Sequence, residues 1–254
     1  MPDVTKPEDP AARHTLVSSV DKAVEKAVER VADKLDEVKP FLRGWIHAGM
    51  IPLVTAAFAV LIVLSPTPLT RVGSSVYAAS AILLFAVSGL YHRGNWQPRL
   101  LAFWRRFDHA NIYIFIAGTY TPFAFLYLHG AARWALFGIA WGCAVAGAVF
   151  KILMPNAPRW VSTPLYIALG WMVVFFIPAF IDGAKHFPTW VNISSLVLVA
   201  TGGLLYTIGG VVYAAKKPNP SPTIFGFHEV FHAFTAAAFV VQFIAVSFAT
   251  YELR

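Results

Sequence analysis

"FGFHEVFHAFTAAAFVVQFIAVSF" runs from Phe225 to Phe248. At about 1.5 Å per helical residue, this stretch can cross a hydrocarbon core about 30 Å thick. It is too continuous for a barrel strand, which alternates apolar and polar residues. His228 and His232 stand four residues apart, about one helical turn, so both imidazoles share a face. Polar groups inside a spanning helix are costly, which makes this pair a functional suspect.

The whole chain has the same character. Of its 254 residues, 57% are hydrophobic and 13% charged, where soluble domains run near 25% charged. The mean hydropathy is +0.61. Six further apolar runs precede the quoted one, at residues 45–64, 72–92, 107–127, 133–152, 160–181 and 191–214. The expected fold is an all-α, seven-transmembrane-helix bundle. The single cysteine, Cys143, excludes an internal disulfide and a Cys-based metal site. It reads as a small buried apolar residue.

Charge sets the expected orientation. Residues 1–44 carry eight Lys/Arg and nine Asp/Glu. Only four acids follow: Asp108, Asp182, Glu229 and Glu252. With the N-terminus inside, the inner segments beyond residue 44 hold Arg93, Arg99, Arg105, Arg106, Lys151, Arg159, Lys216 and Lys217. The outer ones hold Arg71, Arg133, Lys185 and Arg254. Basic residues stay cytoplasmic, so the N-terminus is expected in the cytoplasm and the C-terminus outside the cell membrane. G-protein-coupled receptors have the opposite orientation. The pI near 9.6 therefore reports topology, and nucleic acid is not an expected partner.

Three regions follow along the chain: residues 1–14, 15–40 and 41–254. The start, "MPDVTKPEDPAARH", is polar and proline-containing and reads as a flexible tail, not as a signal peptide. Val17, Val20, Val24, Val28, Val31, Leu35 and Val38 recur at steps of three and four. They mark an amphipathic helix that lies on the membrane surface or forms a seam between copies, making a homo-oligomer. Pro40 should end it. The seven spans fill the rest.

Polar residues converge at the inner ends of the spans. "SGLYH" closes the second span, with Ser88 and His92 four apart. "FDHANIYIFIAGTYTPF" opens the third at Phe107, with Asp108 in its first turn. His228 and His232 open the seventh. Three imidazoles suit Zn²⁺ with a fourth position left for water. His92, His228 and His232 are the candidate ligands. Asp108 is the candidate acid or base, either touching the metal or accepting from its water, and Ser88 lies nearby. His47, His129 and His186 read as interfacial anchors. His109 points about 100° from Asp108 and is left out. Glu229 is expected to face the inner headgroups. Gly142, Gly147, Gly202, Gly203, Gly209 and Gly210 are expected to allow close helix packing. Gly118, Thr119 and Pro122 should shape a kink.

At "SGLYH", "FDHANIYIFIAGTYTPF" and "HEVFH" the chain resembles the haemolysin III family, the bacterial branch of the progestin and adipoQ (adiponectin) receptors, over roughly residues 41–250. The resemblance implies seven helices, a cytoplasmic N-terminus and a zinc ion held by His92, His228 and His232. By it, Ser88 and Asp108 surround the metal's water. The wider superfamily includes alkaline ceramidases, so the resemblance makes a zinc-dependent hydrolase of a lipid amide the leading expectation. A membrane-damaging pore-former and a receptor or sensor with a structural zinc are the alternatives. A membrane lipid is the expected substrate or ligand in the first case.

Overall fold

A computed structural model of the chain describes Val20 and residues 40–254. The tail and amphipathic helix expected over residues 1–39, and any assembly through that helix, lie outside the described residues. The helices are α1 (Trp45–Leu64), α2 (Pro68–Arg93), α3 (Pro98–Tyr127), α4 (Gly130–Leu153), α5 (Arg159–Trp171), α6 (Ile177–Ala184), α7 (Thr189–Ala215) and α8 (Phe227–Glu252). No β-strand occurs among the described residues; Ser221 and Phe225 form an isolated bridge.

Six segments are long and apolar enough to cross a membrane: α1, α2, α4, the joined α5–α6, α7 and α8. The seventh, α3, has 30 residues, enough for about 45 Å. It needs less apolar surface because it is the most enclosed: it packs against α2, α4, α5, α6 and α8. The bundle closes as a ring, with α1 against α2 and α8, α5 against α7, and α7 against α8. Outward side chains such as Leu53, Val63, Phe175 and Leu196 are exposed and apolar, as a lipid-facing surface requires. Inside, Phe58, Tyr77, Phe85, Phe115 and Phe239 form one aromatic core between α1, α2, α3 and α8. A second core packs Tyr113 and Leu128 against Leu136, Ala140 and Ala144 of α4.

Local chemistry explains the element ends. Thr67 and Thr70 form a capping box at the start of α2, with Pro68 in the first turn. The expected single fifth span is broken by a 3₁₀ turn at Met172–Phe176. Pro178 cannot bond backward and its ring crowds the preceding turn. The Tyr120 hydroxyl repairs the break: it donates to the Leu169 carbonyl at 2.9 Å and accepts from the Val173 amide at 3.2 Å.

Several expectations are corrected. The third helix starts at Pro98, nine residues before the apolar run, because a helix can project into the headgroup region and carry Arg99, Arg105 and Arg106 there. It runs as one helix through Pro122, and Gly118 admits Ser80 of α2 at close range. Gly147, Gly202 and Gly209 do meet neighbours closely, at Tyr113, Gln242 and Phe234, whereas Gly142 faces open space. Cys143 is exposed on the outer face of α4, not buried.

Candidate metal centre

The site is built from the last turns of α2, the second and third turns of α3 and the first two turns of α8. These ends lie together at one mouth of the bundle. Ser88, His92, Asp108 and His232 are all buried. One ligand atom from each of His92, His228 and His232 lies within 4.8 Å of the others. His92 Nε2 and His228 Nε2 are 3.1 Å apart. The three candidate ligands read from the sequence are thus brought together, from two helices far apart in the chain.

Asp108 adjoins them. Its Oδ2 is 4.0 Å from His92 Nε2 and 4.0 Å from His109 Nδ1. Ser88 of α2 lies beside its carboxylate. His109 is committed elsewhere. Its Nδ1 is 2.6 Å from the Arg105 carbonyl, which can only accept, so Nδ1 donates. Its Nε2 then accepts from the Tyr213 hydroxyl at 3.2 Å. The structure leaves His109 outside the cluster.

The helix that presents His228 and His232 is anchored at its first turn. Glu229 Oε2 accepts from the Gly226 amide at 2.8 Å, and Asn219 Oδ1 accepts from the Phe227 amide at 3.0 Å. Glu229 Oε1 accepts from Arg43 Nε at 2.7 Å. The carboxylate is fully buried, 0% exposed, which corrects the expectation that it faces headgroups. A glutamate three residues after a cap position was a visible sign of this role. The segment carrying Arg43 is itself fastened to the loop before α8: Phe41 and Leu42 amides donate to the Thr223 and Ile224 carbonyls at 2.9 and 3.1 Å.

Gly44 turns that segment into α1 with φ of 80°. A Cβ there would lie 2.8 Å from His92 Cβ, so glycine is required on two counts. His47, one turn further on, is not an interfacial anchor. It is 2% exposed and stacks on His232, with ring centroids 3.8 Å apart and planes 19° apart. Sequence reasoning missed His47 because nothing local in "RGWIHAG" reports a ring from another helix. At the other mouth His129 and His186 are exposed, with ring centroids 5.4 Å apart.

Comparison with known proteins agrees with this architecture. The family model described as "Haemolysin-III related" matches residues 35–243. "Hemolysin-3" of Bacillus cereus is 31% identical over 179 residues, covering 70% of this chain and 74% of that protein. "Hemolysin-3 homolog" of Bacillus subtilis (strain 168) is 30% identical over 179 residues, covering 70% and 76%. "Monocyte to macrophage differentiation factor" of Homo sapiens, an adiponectin receptor-like relative, is 25% identical over 206 residues, covering 80% of each chain. With the helical bundle, its buried histidine cluster and these matches together, the chain belongs to the haemolysin III family of membrane proteins.

Proposed function

We propose that the protein is an intramembrane zinc hydrolase acting on the amide bond of a lipid, seated in the cell membrane with its N-terminus in the cytoplasm. The observation that carries this reading is the convergence of His92, His228 and His232 within 4.8 Å, with Asp108 Oδ2 4.0 Å from His92 Nε2. Two nitrogens bound tetrahedrally at 2.0–2.1 Å from one ion stand about 3.3 Å apart, close to the 3.1 Å between His92 and His228. His232 Nδ1 is buried without a hydrogen-bond partner among the described residues, and a buried imidazole nitrogen calls for one. Three neutral nitrogens and one carboxylate suit zinc better than magnesium or calcium, which take oxygen ligands. A structural zinc is normally closed by four protein ligands. Three imidazoles with a carboxylate set back favour an open, catalytic position.

Bound zinc supplies Lewis acidity, polarising a carbonyl and letting water ionise near neutral pH. The chain's own residues supply the rest. Asp108 accepts a proton from the attacking water and returns it to the leaving amine. Ser88 donates to the carboxylate and holds it at the cluster. His228 and His232 stay in register because Glu229 caps their helix and His47 stacks on one ring. Apolar helix faces around the site favour a substrate that arrives through the bilayer.

The test is release of fatty acid from ceramide in liposomes that contain the purified protein, with and without a zinc chelator. Chelator-sensitive release supports the reading; no release from any lipid amide opposes it. The Bacillus relatives are named as haemolysins, so membrane damage is the second reading. Dye leakage from the same liposomes, without lipid cleavage, would favour it.

A further inference from the structure

The mouth that holds the histidine cluster also holds a basic cluster with no use in the reading above. Lys151, in the last turn of α4, is 5% exposed. Its Nζ donates to Ser162 Oγ at 3.0 Å and to the Ala157 carbonyl at 3.4 Å, both neutral acceptors. Arg159 opens α5. Its guanidinium lies 4.7 Å from the Tyr213 ring centre and 5.3 Å from that of Phe227. Its Nη1 is buried with no hydrogen-bond partner among the described residues. Arg105 of α3 is linked to Arg159 through His109, whose Nδ1 donates to the Arg105 carbonyl and whose Nε2 accepts from the hydroxyl of Tyr213, the ring that the Arg159 guanidinium covers.

Acids do not balance these cations among the described residues. Glu229 is taken by Arg43 at 2.7 Å. Asp182 is paired with Lys185 at 2.8 Å, at the opposite mouth. Glu252 ends α8, also at the opposite mouth. That leaves Asp108, which lies 4.0 Å from His92 Nε2 beside the histidines. Positive-inside bias accounts for basic residues in cytoplasmic loops, but such residues ordinarily reach water. It does not account for a lysine enclosed against the first turn of α5, the turn that carries Arg159. A buried charge is costly unless an opposite charge meets it. The start of α5 has no side-chain cap either, so its first amides add a weak preference for an anion.

We propose that Arg105, Lys151 and Arg159 form a receptor for an anionic, oxygen-rich group of the phosphate-ester type. Arginine pairs bidentately with such groups, and lysine binds them as a point charge. The receptor adjoins the histidine cluster through Tyr213, whose hydroxyl is 3.2 Å from His109 Nε2 and whose ring centre is 5.6 Å from that of His228. Its role in choosing a substrate rests on the hydrolase reading; its binding of an anion does not. Taken together, the two assign the substrate to anionic amphiphiles, with the charged head held beside the metal centre.

Full-length protein in a neutral detergent is titrated with fluorescent phosphatidic acid and with the matching phosphatidylcholine. Phosphatidic acid should bind saturably, at least about 10-fold more tightly than phosphatidylcholine. Lys151→Met and Arg159→Gln should each weaken it about 10-fold, and Lys151→Arg and Arg159→Lys should restore it. Arg105→Gln, at an exposed side chain, keeps the test open if the Lys151 and Arg159 variants fail to fold. Competition by inorganic phosphate would identify the receptor as one for the free anion; lack of competition would assign it to a lipid headgroup. Equal affinity for the two lipids, or unchanged affinity in all three charge-removing variants, overturns the proposal. His232→Ala should lose zinc yet bind phosphatidic acid as before. A wild-type protein that lacks zinc but binds phosphatidic acid would sink the hydrolase reading and leave the receptor standing.

Discussion

Arg43 and Glu229 lie 186 residues apart in the chain and meet as an ion pair, Nε to Oε1 at 2.7 Å. The pair joins the segment before α1 to the first turn of α8, one residue from His228. Glu229 also caps that turn through the Gly226 amide at 2.8 Å. One carboxylate therefore fixes both where α8 begins and what lies against it.

Glu229→Ala removes the cap and leaves Arg43 facing an uncompensated pocket. Breaking such a buried pair costs about 3–5 kcal/mol. Thermal unfolding in detergent should show a large loss of stability, with a smaller loss in Glu229→Gln, which keeps an acceptor for the amide. If Glu229→Ala were as stable as wild type, the anchor would carry no weight.

Gly44→Ala tests the approach to His92. A left-handed conformation costs a non-glycine residue about 1–2 kcal/mol, and here the new Cβ would also crowd His92 Cβ at 2.8 Å. The variant should bind zinc more weakly than wild type in a chelator competition, because His92 must shift. The control Gly142→Ala faces open space and should leave zinc affinity unchanged. Equal affinity in Gly44→Ala would mean that His92 can move freely.

Asp108→Asn separates binding from chemistry. The substitution keeps the size and an acceptor oxygen but removes the charge and the basicity. Zinc should remain, with affinity about 10- to 100-fold weaker, as for lost partners around a metal's ligands. Lipid hydrolysis should fall about 10²–10⁴-fold. Full activity with zinc retained would place the base elsewhere, and complete loss of zinc would make Asp108 a direct ligand.

The proposed orientation rests on the basic residues alone. A reporter fused after Arg254 should be active only in its extracytoplasmic form, since the N-terminus is proposed to be cytoplasmic and seven spans intervene. Activity of the cytoplasmic form there would reverse the bundle, and the basic mouth would then face outward.

Much of this is legible in the sequence. Apolar length gave the spans, because a spanning helix needs an unbroken run of about 20 apolar residues. The histidine spacing at His228 and His232, and the common depth of Ser88, His92 and Asp108, followed from helical geometry and the orientation of each span. What stayed hidden depends on rings and charges meeting across the bundle. His47 stacks on His232, Arg43 reaches Glu229, and Lys151 is enclosed against Ser162. No local pattern encodes such pairings. The break in the fifth span was half legible: Pro178 predicts an interruption, but the Tyr120 hydroxyl that repairs it comes from α3.

The central claim is that His92, His228 and His232 hold a zinc ion. Metal analysis of protein purified in mild detergent tests it directly, beside His92→Ala, His228→Ala and His232→Ala. The account predicts about one zinc per chain in the wild type, as a single three-histidine site requires, and a clear fall in each variant. Full zinc content in all three variants, or none in the wild type, would contradict it.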